Sequence, residues 1–307
     1  MKKLLSILLA ISLAASLAAC GSSPSGSSDS SKKDNSENKT SSEEVPNKEP
    51  EKTPATDAVT LAEQVIVDDQ GVKVTATGMG EDSLFGKNLK LLIENNTEQA
   101  LTFQTRDASV NGYMVETMMS ADVAAGKKVN DTLTFQSNSL EACGITTIAD
   151  MQFSLHIFPS DSFGEKFLDT EPIQLKTSAA EGYTYTYDDS GDLAYDGNGI
   201  KIVSKGISND DSIFGPGLIL YLHNTTEQGI TVQVRDVSVN GFMVDTSFSC
   251  DITAGKHAVD AITFLESDLQ ENGITKFSEV ELSFHIFPLN EWGKTIVDTE
   301  PITLTFA

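Results

Sequence analysis

His156 and His285 stand in the matched strings SLHIFP and SFHIFP, each with a serine two positions before it (Ser154 and Ser283). A serine and a histidine that recur together are the raw material of acyl transfer, in which the imidazole takes the hydroxyl proton. Both members of each pair, however, lie on one apparent strand, and no nucleophile turn surrounds Ser154, so structural histidines near a sheet edge are the expectation. His223 and His257 have no histidine at the corresponding places of the other half, and the four form no repeated cluster.

Acidic pairs occur at Asp68-Asp69, Glu81-Asp82, Asp188-Asp189 (with Asp192 and Asp196 close by) and Asp210-Asp211. Calcium takes about six to eight oxygen ligands and suits carboxylate-rich loops. The stretch Asp188 to Gly199 lacks the central glycine and terminal glutamate of a helix–loop–helix calcium site. Asp188, Asp189, Asp192 and Asp196 therefore remain weak calcium candidates at a domain junction. Met118-Met119 becomes Ser247-Phe248 in the second half, which favours packing over soft-metal binding. There is no glycine-rich phosphate loop, no C-x-x-C pair and no basic patch interleaved with aromatics. The expectation is no enzyme, no catalytic residue, no metal and no cofactor.

The elements that would hold these residues are written twice. Asn95 to Thr117 and Asn224 to Thr246 are identical at 15 of 23 paired positions, at a constant offset of 129 residues. Such a match means a duplicated domain. Inside it, Arg106-Asp107 repeats as Arg235-Asp236. Adjacent strand residues point to opposite faces, so the two partners of each pair are not expected to bond to each other. Asn111-Gly112-Tyr113 repeats as Asn240-Gly241-Phe242. An Asn-Gly pair between apolar flanks signals a tight hairpin, because both residues accept positive φ. These ten residues, with polar hairpin tips, form the candidate interaction surface.

Around them the apolar residues alternate. Val72, Val74 and Ala76 alternate with Lys73, Thr75 and Thr77, and Leu89, Leu91 and Ile93 keep the same beat; Ile200, Ile202, Leu218, Leu220 and Leu222 follow it in the second copy. Period two in short runs bounded by Gly and Asn predicts half-buried strands. Further strands are expected near 100–106, 108–118, 128–136, 149–158 and 166–176. Ser139 to Gly144 and Asp268 to Gly273 predict one helical turn each, capped by Ser139 or Asp268 and ended by glycine. About seven strands in each copy of about 115 residues predict an all-β fold of two tandem antiparallel sandwiches.

The polar NNT-type turn at Asn95, the V-N-G hairpin and the L-x-x-x-G-I helical turn make each copy similar to the Ig-like domains of bacterial lipoproteins of unknown function. Some of those are in turn similar to a secreted mycobacterial immunoprotective antigen. The resemblance spans about residues 60–178 and 183–307 and implies an Ig-like fold; no active site comes with it.

The N-terminus reads as an address. Lys2 and Lys3 precede an apolar run from Leu4 to Leu17, shorter than the ~20 residues of a spanning helix. Leu17-Ala18-Ala19-Cys20-Gly21 resembles the lipobox of bacterial lipoprotein precursors. That resemblance implies cleavage before Cys20 and diacylglycerol on its sulfur, with further acylation such as palmitate. Residues 21–57 are rich in Ser, Pro, Lys, Glu and Asn, with Val45 the sole aliphatic side chain larger than alanine. So little apolar surface cannot offset chain entropy, and a disordered tether is expected. The expected organisation is a signal peptide at 1–19, a lipidated linker at 20–57, and Ig-like sandwiches at 58–178 and 183–307.

The net charge of −24 opposes nucleic acid and anionic membrane surfaces as partners. Cys143 and Cys250 occupy non-equivalent places, which excludes a duplicated intradomain disulfide and leaves one bridge between the copies. Taken together, these features predict an extracytoplasmic protein anchored to the cell membrane through Cys20. It would bind an envelope or extracellular protein or act as a spacer, with a small-ligand-binding or calcium-binding lipoprotein as the alternative.

Overall fold

A computed structural model describes residues 58–208 and 216–306. The leader, Cys20, the tether to residue 57 and Asp210-Asp211 lie outside the described residues. The expected alternation is what builds the fold. Val72, Val74, Ala76, Leu89, Leu91 and Ile93 are all essentially buried, and they meet Phe103, Phe135, Phe153, Leu155 and Ile157 in one core. The equivalent residues of the second copy, among them Ile202, Leu220, Val232, Phe264 and Phe284, make a second core.

The first repeat runs β1 (Gln64–Asp69), β2 (Val72–Met79), β3 (Gly86–Asn95), β4 (Leu101–Val110), β5 (Tyr113–Met114), β6 (Thr117–Met118), β7 (Ser120–Val123) and β8 (Lys127–Gln136). A single-turn helix, α1 (Ser137–Ala142), then leads to β9 (Asp150–Pro159), β10 (Leu168–Asp169) and β11 (Ile173–Lys176). One sheet has the order β1-β2-β3-β8-β6. The other has β4 at its centre, with β9 on one side and β7 and β5 on the other; β10 and β11 continue beyond β9.

The second repeat copies this layout with β12 (Asp192–Gly197), β13 (Ile200–Ile207), β14 (Gly217–Asn224), β15 (Ile230–Val239), β16 (Phe242–Met243) and β17 (Thr246–Ser247). It continues with β18 (Ser249–Ile252), β19 (His257–Phe264), α2 (Glu266–Glu271), β20 (Glu279–Pro288), β21 (Val297–Asp298) and β22 (Ile302–Thr305). Its sheets are β12-β13-β14-β19-β17 and a group in which β15 joins β20, β18 and β16. The chain is therefore all-β, two tandem Ig-like antiparallel sandwiches. Within each repeat every paired strand is antiparallel; one parallel bridge, between β5 and β19, links the repeats.

Three local expectations need correction. The strand expected over 108–118 is split by the hairpin at Asn111-Gly112. Ser139 and Asp268 do not cap their helices: they lie inside α1 and α2 and accept the backbone N–H of Glu116 and Asp245 instead. Gly144 and Gly273 do end the helices, each with φ near 67° and 66°. Finally, Arg106 and Asp107 do not face opposite ways. Asp107 has φ 54° and Asp236 φ 53°, and the register with the neighbouring strand slips between Arg106 and Ser109. This bulge resets the alternation, so that Arg106 and Asp107 are both exposed while Ala108 and Val110 turn inward.

The asparagine that opens the repeated stretch is more than a turn former. Asn95 is fully buried; its amide donates to the carbonyls of Gln99 and Val123, each at 2.8 Å, and its Oδ1 accepts from the N–H (3.0 Å) and hydroxyl (2.6 Å) of Thr97. Asn224 makes the same set with Gln228, Ile252 and Thr226. Each pins the β3–β4 type of turn to the strand opposite. Replacing Asn95 with alanine leaves a buried carbonyl and N–H unpaired, at about 1–3 kcal/mol apiece. Asn95→Ala is expected to lower the urea midpoint clearly, and Thr97→Val by less, with the slope of the transition unchanged.

Candidate functional site

The two Asn-Gly hairpins have one local construction. Asn111 and Gly112 take φ of 50° and 87°, and Asn240 and Gly241 take 51° and 83°. Val110 faces Tyr113, and Val239 faces Phe242, across these two-residue turns. Asn111 Oδ1 accepts the N–H groups of Ala149 (2.8 Å) and Asp150 (3.1 Å), and its amide donates to Thr147 O (2.8 Å). Asn240 repeats all three bonds with Ser278, Glu279 and Lys276. The asparagine thus clamps the hairpin to the start of the neighbouring strand.

Their surroundings differ. In the first repeat the linker between the two sandwiches, residues 177–191, arrives on top of the hairpin. Tyr183 Oη accepts a second bond from the Asn111 amide at 2.8 Å, and Tyr187 Oη donates to the Asn111 carbonyl at 3.3 Å. The backbone N–H of His257 donates to Gly112 O at 3.0 Å, and His257 pairs with Tyr113 in the parallel bridge. Asn111 and Tyr113 are therefore buried, at 3% and 5% exposure. The expectation of an open interaction surface at Asn111, Gly112 and Tyr113 is corrected: they do form an interaction surface, but its occupant is the rest of the chain. Asn240, Gly241 and Phe242 remain exposed.

A stack of three rings closes this joint. Tyr187 lies on His257 with centroids 3.6 Å apart and planes at 17°, and His223 lies 4.0 Å from His257, also at 17°. Tyr221 Oη and His257 Nδ1 are 2.7 Å apart. Burial foremost, then the nearby His223 and Lys256, pulls the His257 pKa down to about 4, so the ring is neutral and accepts the Tyr221 proton. Burial likewise raises Tyr221, keeping it a donor. Val203 and Tyr221 of the second repeat are buried within the first repeat's core cluster, and Met114 of the first packs against the second. The joint is thus built like a domain interior.

The linker is fixed at both ends. Tyr185 Oη donates to the Asp150 carboxylate, and burial together with that bond pushes its pKa up to about 12. Beyond the tyrosines, Asp188 pairs with Lys205 at 2.8 Å and Asp189 with Lys201 at 2.6 Å. These lysines hold both carboxyls below the usual carboxylate range. Two of the four weak calcium candidates are thus paired with lysines. Asp192 and Asp196 lie on β12, and among the described residues no three His, Cys, Asp or Glu side chains converge as a metal site.

The remaining candidates stay apart. Ser154 Oγ donates to Arg106 O at 3.3 Å, while His156 Nδ1 meets Asp169 Oδ1 at 2.5 Å, a contact repeated by His285 and Asp298. Serine and histidine therefore have separate partners. Arg235 makes a loose 3.4 Å ion pair with Asp298; partial loss of water around the otherwise exposed Asp107, then the charge of Asp251, raise its pKa. Cys143 and Cys250 are free thiols, so no bridge joins the repeats. Cys143 lines a cavity of about 300 Å³ between linker and hairpin, walled also by Asn111, Tyr113, Tyr183 and Tyr187. Burial pushes its pKa up to about 12, which leaves the thiol protonated and a poor nucleophile.

The linker tyrosines and the two histidines are what a search for residues shared by the repeats passes over. At the offset of 129, His257 faces Lys128, His223 faces Glu94 and Tyr221 faces Leu92. The signal for the joint was in these differences.

Two outcomes follow from this geometry. A side chain at either hairpin glycine meets positive φ, costing about 1–2 kcal/mol. At Gly112 a Cβ would also lie 2.5 Å from Tyr187 Oη, whereas at Gly241 nothing lies within 4 Å. Thermal melts should therefore show Gly112→Ala destabilising by at least ~1 kcal/mol more than Gly241→Ala. The second outcome concerns pH. The folded pKa of His257 lies below its ordinary 6.5, so its contribution is complete above 6.5 and is lost as pH falls toward about 4. The melting-temperature gap between wild type and His257→Gln should narrow across that window and level off below it.

No protein-family model matches the chain, and no curated protein matches it. Among solved structures the chain is similar to the YadV chaperone, at 13% identity and a TM-score of 0.23, over 77% of this chain and 100% of that one. It is also similar to red sea bream transglutaminase, at 8% identity and a TM-score of 0.19, over 74% and 29% respectively. Scores at this level carry no argument about fold or activity.

Proposed function

We propose that the protein is a lipid-anchored, extracytoplasmic component of the bacterial cell envelope, acting as a non-catalytic protein-binding or spacer module. The N-terminal run ending in Leu17-Ala18-Ala19-Cys20 supports the anchor. Two or three acyl chains at about 0.8 kcal/mol per buried CH₂ hold stably to a bilayer. The observation that carries the module reading is the joint. The His257 N–H joins the sandwiches directly at Gly112 O, Asn111 and Asp150 hold the linker tyrosines Tyr183 and Tyr185, and Tyr221 fixes the His257 ring. A spacer of two modules must hold them in a fixed relation, and a shared bridge with a three-ring stack supports that.

The separate partners of Ser154 and His156 support a non-catalytic reading. The lysine pairing of Asp188 and Asp189 argues against the calcium alternative.

The test is fractionation of cells making wild type and Cys20→Ser, fed an alkyne-bearing palmitate. Wild type should sediment with membranes and carry the label. Cys20→Ser should lose the label and appear in the soluble or secreted fraction. An unlabelled, soluble wild-type protein would overturn the anchor.

A further inference from the structure

The same receptor surface is present twice, and among the described residues only one copy is occupied. In the first repeat the occupant supplies four things. Tyr183 takes the Asn111 amide, and Tyr187 reaches the Asn111 carbonyl with its ring edge-on to Tyr113 at 5.3 Å. A strand N–H, from His257, goes to Gly112 O; burial lowers the pKa of the neighbouring Lys256, and the charge of Asp150 partly offsets that shift.

The second repeat presents every receiving group: the Asn240 amide, the Gly241 carbonyl, Phe242 for Tyr113, Met243 for Met114 and Glu279 for Asp150. Here they are open. Phe242 is 48% and Met243 65% exposed, against 5% for Tyr113. Among the described residues the Asn240 amide has one acceptor, Lys276 O, where that of Asn111 has two. Exposed aromatic and thioether side chains beside an unfilled donor describe a binding face rather than a solvated turn.

We propose that Asn240-Gly241-Phe242-Met243, with Glu279 at its rim, is a docking site for an extended segment of another protein. That segment carries aromatic side chains at alternate positions and a lysine or arginine. The inference rests on the protein-binding reading above and specifies its surface and partner chemistry. A second copy of this chain does not fit. Its first repeat has Lys127 in place of Lys256, but Lys128, Glu94 and Leu92 replace the ring set of His257, His223 and Tyr221. Pairing hairpin to hairpin would set the acids Asp236, Asp245 and Glu279 against their own copies, and like charges brought together oppose such a contact.

The test uses the full chain and the synthetic peptide KGYTYTYK, which is linker residues 182–187 flanked by lysines, at millimolar concentration. Binding is read from the NMR methyl signal of Met243 and the ring signals of Phe242. Wild type should bind. Phe242→Asp and Glu279→Lys, whose melts should match wild type, should each weaken binding at least tenfold, and Trp292→Ala, at a distant exposed ring, should not. The peptide EGYTYTYE should bind more weakly than KGYTYTYK. Absence of peptide binding, or equal binding by Phe242→Asp, overturns the proposal. So does concentration-dependent dimerisation of wild type that Phe242→Asp abolishes, since the face would then belong to a second copy. A partner crosslinked on cells equally well by wild type and Phe242→Asp would sink this site while leaving the protein-binding reading in place.

Discussion

Coupling between the two sandwiches runs through the backbone of Asn111 and Gly112. A two-residue turn with positive φ at both positions leaves its carbonyls pointing away from the hairpin ladder, where the hairpin itself cannot satisfy them. Buried carbonyls must find donors. The Asn111 carbonyl finds Tyr187 Oη, and that of Gly112 finds the first N–H of β19. Everything else at the joint is consistent with those two bonds. The linker must run over the hairpin to bring Tyr187 there, and β19 must start beside β5, which places the His257 ring under Tyr187. A neutral His257 then completes the joint, because a charged ring at that depth would be held between His223 and Lys256.

The same geometry explains why the acids of the linker are not metal ligands. Once Tyr183, Tyr185 and Tyr187 are committed to the first repeat, Asp188 and Asp189 emerge beside β13, whose outward lysines Lys201 and Lys205 lie within reach. The linker is thus divided into an aromatic part that builds the joint and an anionic part that meets the second sandwich. At the surface such ion pairs contribute little individually. Their role is direction: they fix where the linker enters the second sandwich.

Much of the fold was legible because a half-buried sheet writes period two into its sequence, and Val72, Val74, Ala76 or Leu89, Leu91, Ile93 leave no other reading. The Asn-Gly turns were legible because few residues accept positive φ twice running. The bulge at Asp107 was not, since Arg-Asp inside a strand looks like ordinary alternation until a register slip shows that Ala108 has taken the inward place. Ser139 and Asp268 have the chemistry of helix caps but bond backwards to Glu116 and Asp245, a tertiary choice that local sequence does not encode. The joint was hidden for a different reason. Residues kept in both repeats build each sandwich, whereas residues that serve one contact between them have no reason to be kept twice.

That distinction bears on how tandem duplication here places two domains in a defined relation. A repeated receptor and a repeated ligand face would make a heterologous contact able to propagate from chain to chain. The receptor is repeated, as Asn111 and Asn240 with their matching clamps show. The ligand face is not. Where the second repeat offers His257, His223, Tyr221 and Val259, the first offers Lys128, Glu94, Leu92 and Asn130, and Lys128 and Asn130 are exposed to water. Changing the ligand face alone keeps the internal joint while denying the first repeat the rings and apolar surface that a second chain's open hairpin would need. Polar substitution on one end of a stacked repeat is how such arrays are terminated. Among the described residues it leaves the second repeat's hairpin without the occupant that the first repeat's hairpin has, which is the face of the proposed docking site.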